Sequence, residues 1–122
     1  MVYGIGNDLI EIDRIKKSME NGRFMSFCFS QAERAAFGGS AQKLAGCFAA
    51  KEALAKALGT GVRGFSMEEI SVLRDEFGKP YFVFSGNIAA IMKEHGLRAF
   101  VALTNTAGFA LANVLLETER EP

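Results

Sequence analysis

The chain has 122 residues, enough for one domain with a single buried core. Apolar residues make up 49% and charged residues 23%, which excludes a disordered or fibrous chain. Basic and acidic residues balance at 14 each, so composition gives nucleic-acid binding no support, and no apolar run approaches the roughly 20 residues of a membrane span.

Residues 1–122 are therefore expected to form one soluble, cytoplasmic domain. The opening MVYGIGNDLIEI has no basic leader and meets Asp8 too early for a signal peptide. Cys28 and Cys47 make neither a metal cluster nor a disulfide framework, and their apolar neighbours mark them as reduced core residues.

Val2 to Asp8 has a β-branched and aromatic bias and is predicted to be a first strand. Gly4 and Gly6 within it mark close approach of another backbone or a ligand. Ile12, Ile15 and Met19 follow helical spacing, so Ile10 to Glu20 is predicted to be a helix ended by Asn21-Gly22. Phe24 to Phe29 is a short aromatic stretch. Ser30 and Glu33 form a capping-box pattern opening a short helix to about Phe37, and Gly38-Gly39-Ser40 is a break. Gln42 to Leu58, free of proline and rich in alanine and leucine, is a long helix stopped at Gly59. Ile70 to Leu73 and Tyr81 to Phe84 read as strands joined in a hairpin across Asp75 to Pro80. Ser85 caps a helix from Gly86 to about His95, which Gly96 closes. Phe100 to Thr104 and Phe109 to Leu116 are the last strands, and the charged tail from Glu117 to Pro122 is expected to fray. The order β-α-α-α-β-β-α-β-β predicts an α+β fold, a mainly antiparallel sheet packed on one long helix.

On a wheel of about 100° per residue that helix has two apolar sides. Cys47, Ala50, Leu54, Ala57 and Leu58 make one. Leu44, Ala45, Phe48, Ala49 and Ala55 surround the other, and Glu52 and Lys56 project into it. Charges there are costly unless they pair, bind a ligand or line a cleft. Two readings stay open: an i,i+4 surface pair worth about 0.2–0.5 kcal/mol, or part of a site.

Three groups carry the second reading: Gly4-Ile5-Gly6-Asn7-Asp8, Lys51-Glu52 with Lys56, and Gly59-Thr60-Gly61. If the strand end faces the helix, Asp8 and Glu52 supply two hard oxygen ligands suited to Mg²⁺, which also takes phosphate oxygens and water. Lys56, one turn from Glu52, would neutralise a phosphate, and the glycines would let N–H groups approach it. The spacing is not that of a P-loop. Each part also has a plainer reading. Asp8 suits a turn or helix N-cap, and Gly59-Thr60-Gly61 a helix C-cap. His95, the one histidine, suits a helix end, and Arg14, Lys16, Lys17 and Arg23 a solvated face.

GIGNDLIEIDRI (Gly4 to Ile15), FSQAE (Phe29 to Glu33), FAAKEALAKALGTG (Phe48 to Gly61) and GKP (Gly78 to Pro80) occur in order, ahead of a closing strand pair ending in Leu116-Glu117. Together they resemble the holo-acyl-carrier-protein synthases, the small 4′-phosphopantetheinyl transferases. The resemblance implies Mg²⁺-dependent transfer of phosphopantetheine from coenzyme A to a serine of apo-acyl carrier protein, releasing adenosine 3′,5′-bisphosphate, in service of fatty acid biosynthesis. It implies a homotrimer with active sites between neighbouring copies. Asp8 and Glu52 become the Mg²⁺ ligands, one of them accepting the serine proton, and Lys56 the catalytic contact to the coenzyme A phosphates. Gly59, Thr60, Gly61, Lys79, Pro80, Asn105 and Thr106 would shape the coenzyme A pocket, and Arg14 would meet an acidic helix of the carrier protein.

The chain departs from that pattern twice. Cys47 stands where family members usually carry arginine, and Thr104-Asn105 stands where they usually carry Ser-His. Cysteine cannot replace a bidentate charged fork, which leaves the 3′-phosphate to Arg34, Lys43 or Lys79. The departures motivate a second reading, a non-catalytic module binding coenzyme A or carrier protein. A third is an oligomeric structural domain that uses Glu52 and Lys56 as an interface ion pair.

Overall fold

Helix α4, Ala41–Leu58, is the element the rest of the chain wraps. The computed structural model describes residues 1–119. Strand β1 (Val2–Glu11) leads into helices α1 (Ile12–Ser18), α2 (Gly22–Cys28) and α3 (Gln31–Phe37), then α4. A 3₁₀ turn at Met67–Glu69 precedes β2 (Ile70–Arg74) and β3 (Pro80–Phe84), followed by α5 (Gly86–Glu94), β4 (Leu97–Asn105) and β5 (Phe109–Thr118). The α+β expectation holds, with the strands divided between an antiparallel sheet of order β1-β5-β4 and a separate β2-β3 hairpin. Among the described residues no helix is long and apolar enough to cross a membrane.

Sequence and structure part at several boundaries. β1 runs on to Glu11, because Leu9, Ile10 and Glu11 pair with Leu111, Ala110 and Phe109 of β5; the predicted helix from Ile10 starts at Ile12 instead. Asn21-Gly22 opens a helix rather than merely ending one. The Asn21 side chain accepts from the N–H groups of Arg23 and Phe24, so the aromatic stretch is helical. Glu117 and Thr118 belong to β5, where Glu117 pairs with Arg98 and the Thr118 N–H donates to the Met1 carbonyl at 2.8 Å. Residues 120–122 of the predicted frayed tail lie outside the described residues.

The alanines of α4 let the sheet come close. β1 and β5 alternate strictly, placing Gly6, Ile10, Ala110, Ala112, Val114 and Leu116 inward. A Cβ on Gly4 would lie 2.0 Å from the Ala57 carbonyl oxygen, and one on Gly6 2.1 Å from that of Ala53. The backbone approached is therefore that of α4 itself. Gly6→Ala should force strand and helix apart and cost about 1–3 kcal/mol or more in denaturant unfolding; a smaller loss would show the contact to be slack. Ala49, Ala50, Ala53 and Leu54 are fully buried, as a helix apolar on two sides requires.

One ion pair goes into that core. Lys51 and Glu33 are both wholly buried, with Nζ 2.5 Å from Oε1. Lys51 also donates to the carbonyls of Cys28 at 2.7 Å and Met67 at 3.0 Å, using all three protons. Glu33 accepts from the N–H groups of Ser30 and Val72, each at 2.9 Å. The pair thus ties α4 to the end of α2, the start of α3, the 3₁₀ turn and β2. Lys51, grouped from the sequence with the site residues, is structural. Cys28 and Cys47 are buried free thiols, and Cys47 donates to the Val72 carbonyl at 3.5 Å.

Candidate functional site

Asp8 sits on the inward face of β1, in step with Gly6 and Ile10, near the flank of α4 that carries Glu52 and Lys56. Because β1 continues beyond it, Asp8 is neither turn residue nor helix cap. Lys56 reaches across to β1, donating to the Asp8 carboxylate at 3.1 Å and the Asn7 carbonyl at 2.9 Å. No ion pair joins Lys56 to Glu52 among the described residues, so the i,i+4 surface pair gives way to a cross-element contact. Burial pushes the Glu52 carboxyl above its usual range and the Asp8 charge adds to the effect, while Lys56 and Arg14 oppose it. Asp8, Glu52, Lys56 and Arg14 therefore share one electrostatic neighbourhood. Arg14 projects from the exposed side of α1, with Lys16, Lys17 and Arg23 also exposed.

Gly59 ends α4 in the left-handed conformation at φ 83°, and its N–H donates to the Lys56 carbonyl at 3.0 Å. The Gly61 N–H turns back to the Ala55 carbonyl at 3.3 Å. Two of the three N–H groups in Gly59-Thr60-Gly61 are thus spent on capping, which is the plainer of the two readings. Thr60 also lines a cavity of about 180 Å³ with Tyr3, Arg63, Phe65, Ile91 and His95. His95 sits just past α5, as its helix-end reading requires.

The remaining candidates lie elsewhere. Asn105 ends β4 and, with Thr104, lines a second cleft of about 160 Å³ shared with Gln42, Lys43 and Arg74. The Thr106 hydroxyl accepts from the Gly108 and Phe109 N–H groups and so shapes the β4–β5 turn. Lys79 and Pro80 belong to the β2–β3 hairpin, where Pro80 stands opposite Arg74. Lys43 and Glu52 are nine residues apart on α4, about two and a half turns, and so point to opposite sides of it. β1 and β4 are the two edges of their sheet. Within one copy, then, the carboxylates with Lys56 and the Asn105 cleft do not meet. The sequence reading missed Arg74, whose signal was a cation in phase with the buried Ile70 and Val72 on one face of β2.

Residues 4–113 match the model of the 4′-phosphopantetheinyl transferase superfamily. The chain belongs to that superfamily. It is 41% identical to a holo-[acyl-carrier-protein] synthase of Lachnoclostridium phytofermentans, across 99% of this chain and 100% of that one. It is also similar to the crystal structure of a holo-[acyl-carrier-protein] synthase from Neisseria meningitidis, with a TM-score of 0.86, 34% identity, and 97% and 100% of the two chains covered. A holo-(acyl-carrier-protein) synthase from Bacillus anthracis, solved in complex with CoA (3′,5′-ADP), matches with a TM-score of 0.81 and 34% identity over 98% of this chain and 99% of that one. The superfamily's fold is thus the frame in which Asp8 and Glu52 approach each other.

Proposed function

We propose that the protein transfers the 4′-phosphopantetheine of coenzyme A to a serine of an apo-acyl carrier protein, releasing adenosine 3′,5′-bisphosphate, in the cytoplasm. The observation that carries the reading is the approach of Asp8, Glu52 and Lys56 from β1 and α4, in a chain matching the superfamily over residues 4–113. No cluster of three or more His, Cys, Asp or Glu side chains with metal-site geometry occurs among the described residues. A pair of carboxylates fits Mg²⁺, which leaves its other positions to phosphate oxygens and water. Asp8 and Glu52 would hold the ion, which when bound neutralises and polarises the diphosphate as a Lewis acid.

The chain's own groups divide the remaining work. Lys56 spends two protons on β1, which fixes the ammonium and leaves a third for a phosphate oxygen whose charge grows as the diphosphate opens. The serine oxygen bonds to the phosphorus nearer pantetheine, the bridging P–O bond breaks, and the serine proton passes to a carboxylate. We assign Glu52 as the acceptor, with Asp8 the competitor, because the Asp8 carboxylate already accepts from Lys56. Arg14, exposed on α1 beside this centre, faces an incoming acidic carrier helix.

Lys56 and Asn105 lie toward opposite edges of the sheet, and we read coenzyme A as bridging two copies of the chain. The outward sheet face suits such packing. Ile5 is 73% exposed, Leu9 61%, Phe100 47% and Phe109 45%, apolar side chains on one sheet face of the kind that marks interfaces. We read it as the contact of a homotrimer. Ile5→Glu should shift the protein from trimer to monomer in sedimentation and abolish transfer; a fully active monomeric variant would remove the trimer from the mechanism. The function itself is tested by incubating the protein with coenzyme A, Mg²⁺ and apo-carrier protein and weighing the carrier. A gain of one phosphopantetheine is expected. No gain across several carrier proteins would favour the non-catalytic binding module that Cys47 and Asn105 suggest.

A further inference from the structure

Gly59, Gly61 and Gly64 take left-handed φ values of 83°, 67° and 81°, which fold the chain after α4 against α5. A Cβ on Gly64 would meet the Ile91 Cδ1 at 3.9 Å. Between this loop, α5 and the start of β1 lies the cavity of about 180 Å³. Its inner side is apolar, with Phe65 buried and Leu58 and Ile91 half-buried. Its rim is exposed and polar. Arg63 stands there with Tyr3 and His95, whose rings lie 6.3 Å apart and which can each donate one hydrogen bond. No carboxylate lines the cavity, and Arg63 makes no ion pair among the described residues. The Thr60 hydroxyl is already occupied, donating to the Gly61 carbonyl at 3.0 Å.

We propose that this cavity binds a small monocarboxylate with an apolar tail of about six carbons. Arg63 takes the carboxylate, and Leu58, Phe65 and Ile91 take the tail. The guanidinium fork matches both carboxylate oxygens, and one permanent cation balances one negative charge. The tail length follows from volume, since an apolar cavity of about 150 Å³ accepts benzene. The cavity stands apart from the carboxylate centre. Leu58 lies two residues from Lys56, about 200° around α4, and so faces the other side of the helix. The ligand is therefore an effector of the loop and not a reactant. It would fasten Arg63 to α5, while the loop's own N–H groups at Gly59 and Gly61 hold the Lys56 and Ala55 carbonyls.

The test is a titration of the intact, isotope-labelled protein with hexanoate, hexanol, acetate and inorganic phosphate, followed by NMR amide shifts. Hexanoate should bind with a dissociation constant of about millimolar, moving the amides of Tyr3, residues 60–65, Ile91 and His95. Hexanol, which lacks the charge, and acetate, which lacks the tail, should each bind at least about 10-fold more weakly. Arg63 is exposed, so Arg63→Gln should keep the parent's melting temperature while bringing hexanoate down to the affinity of hexanol. Amide exchange across residues 60–64 should slow when hexanoate is bound. Hexanol binding as tightly as hexanoate, an affinity that Arg63→Gln leaves intact, or shifts centred on Asp8 and Lys56 would overturn the proposal. So would phosphate binding as tightly as hexanoate, which would assign the rim to bare anions, or no saturable shift at tens of millimolar. These readouts do not depend on carrier modification, so failure of the transferase reading leaves them standing.

Discussion

Glu52→Gln is expected to lower kcat/KM for carrier modification at least about 100-fold while making the protein more stable at neutral pH. The activity loss follows because glutamine keeps the shape but neither carries the charge that holds a hard cation nor accepts the serine proton. The stability gain follows from the sign of the Glu52 shift. Its folded-state pKa lies above the ordinary carboxylate value, first through burial and then through the Asp8 charge. Between the unfolded and folded values the folded state binds more protons, so stability falls as pH rises through that window and stays lowered above it. Glutamine carries no such penalty. The variant's advantage in Tm should therefore be present at pH 7 and vanish below the usual range of carboxylates. A variant that is active, or one that melts lower at pH 7 than the parent, would remove Glu52 from the roles given to it.

Lys51→Met, one residue away, is expected to do the reverse and destabilise the protein. It strands a fully buried Glu33 carboxylate and leaves the Cys28 and Met67 carbonyls without their donor. Breaking a buried pair from one side costs about 3–5 kcal/mol. At roughly 3–6 °C per kcal/mol for a domain of this size, Tm should drop by about 10–25 °C. Burial alone pushes the Lys51 pKa down, and the Glu33 carboxylate works against that. Adding Glu33→Gln should recover part of the loss, because the uncompensated charge is then gone. A Lys51→Met variant within about 1 kcal/mol of the parent would show that the pair contributes little to holding α2, α3 and β2 on α4.

These two neighbours illustrate what a sequence discloses and what it withholds. Lys51 and Glu52 are consecutive in the same alanine-rich run, so periodicity set them about 100° apart without saying which met solvent. That was decided by α2 and α3, which close over Lys51 and leave the flank of Glu52 partly open toward β1. Local signals read well. Ser30 and Glu33 make the reciprocal capping box, and Gly59 ends α4 in the left-handed conformation. Asn21 did not read well, because an Asn-Gly pair suits the end of one helix and the cap of the next equally. Leu9 to Glu11 took strand form only because β5, some hundred residues on, pairs with them. Asp8 and Glu52 were legible as a pair through their setting in two long motifs. Arg74 was hidden because its partners in the cleft come from α4 and β4, which no spacing within β2 announces.

The most direct test is anomalous diffraction from crystals grown with Mn²⁺ and adenosine 3′,5′-bisphosphate, because it locates the cation itself. One manganese peak is expected in each copy, with the carboxylates of Asp8 and Glu52 both among its ligands and Lys56 turned to a phosphate oxygen. Manganese bound elsewhere, or held by only one of those two side chains, would contradict the site described above.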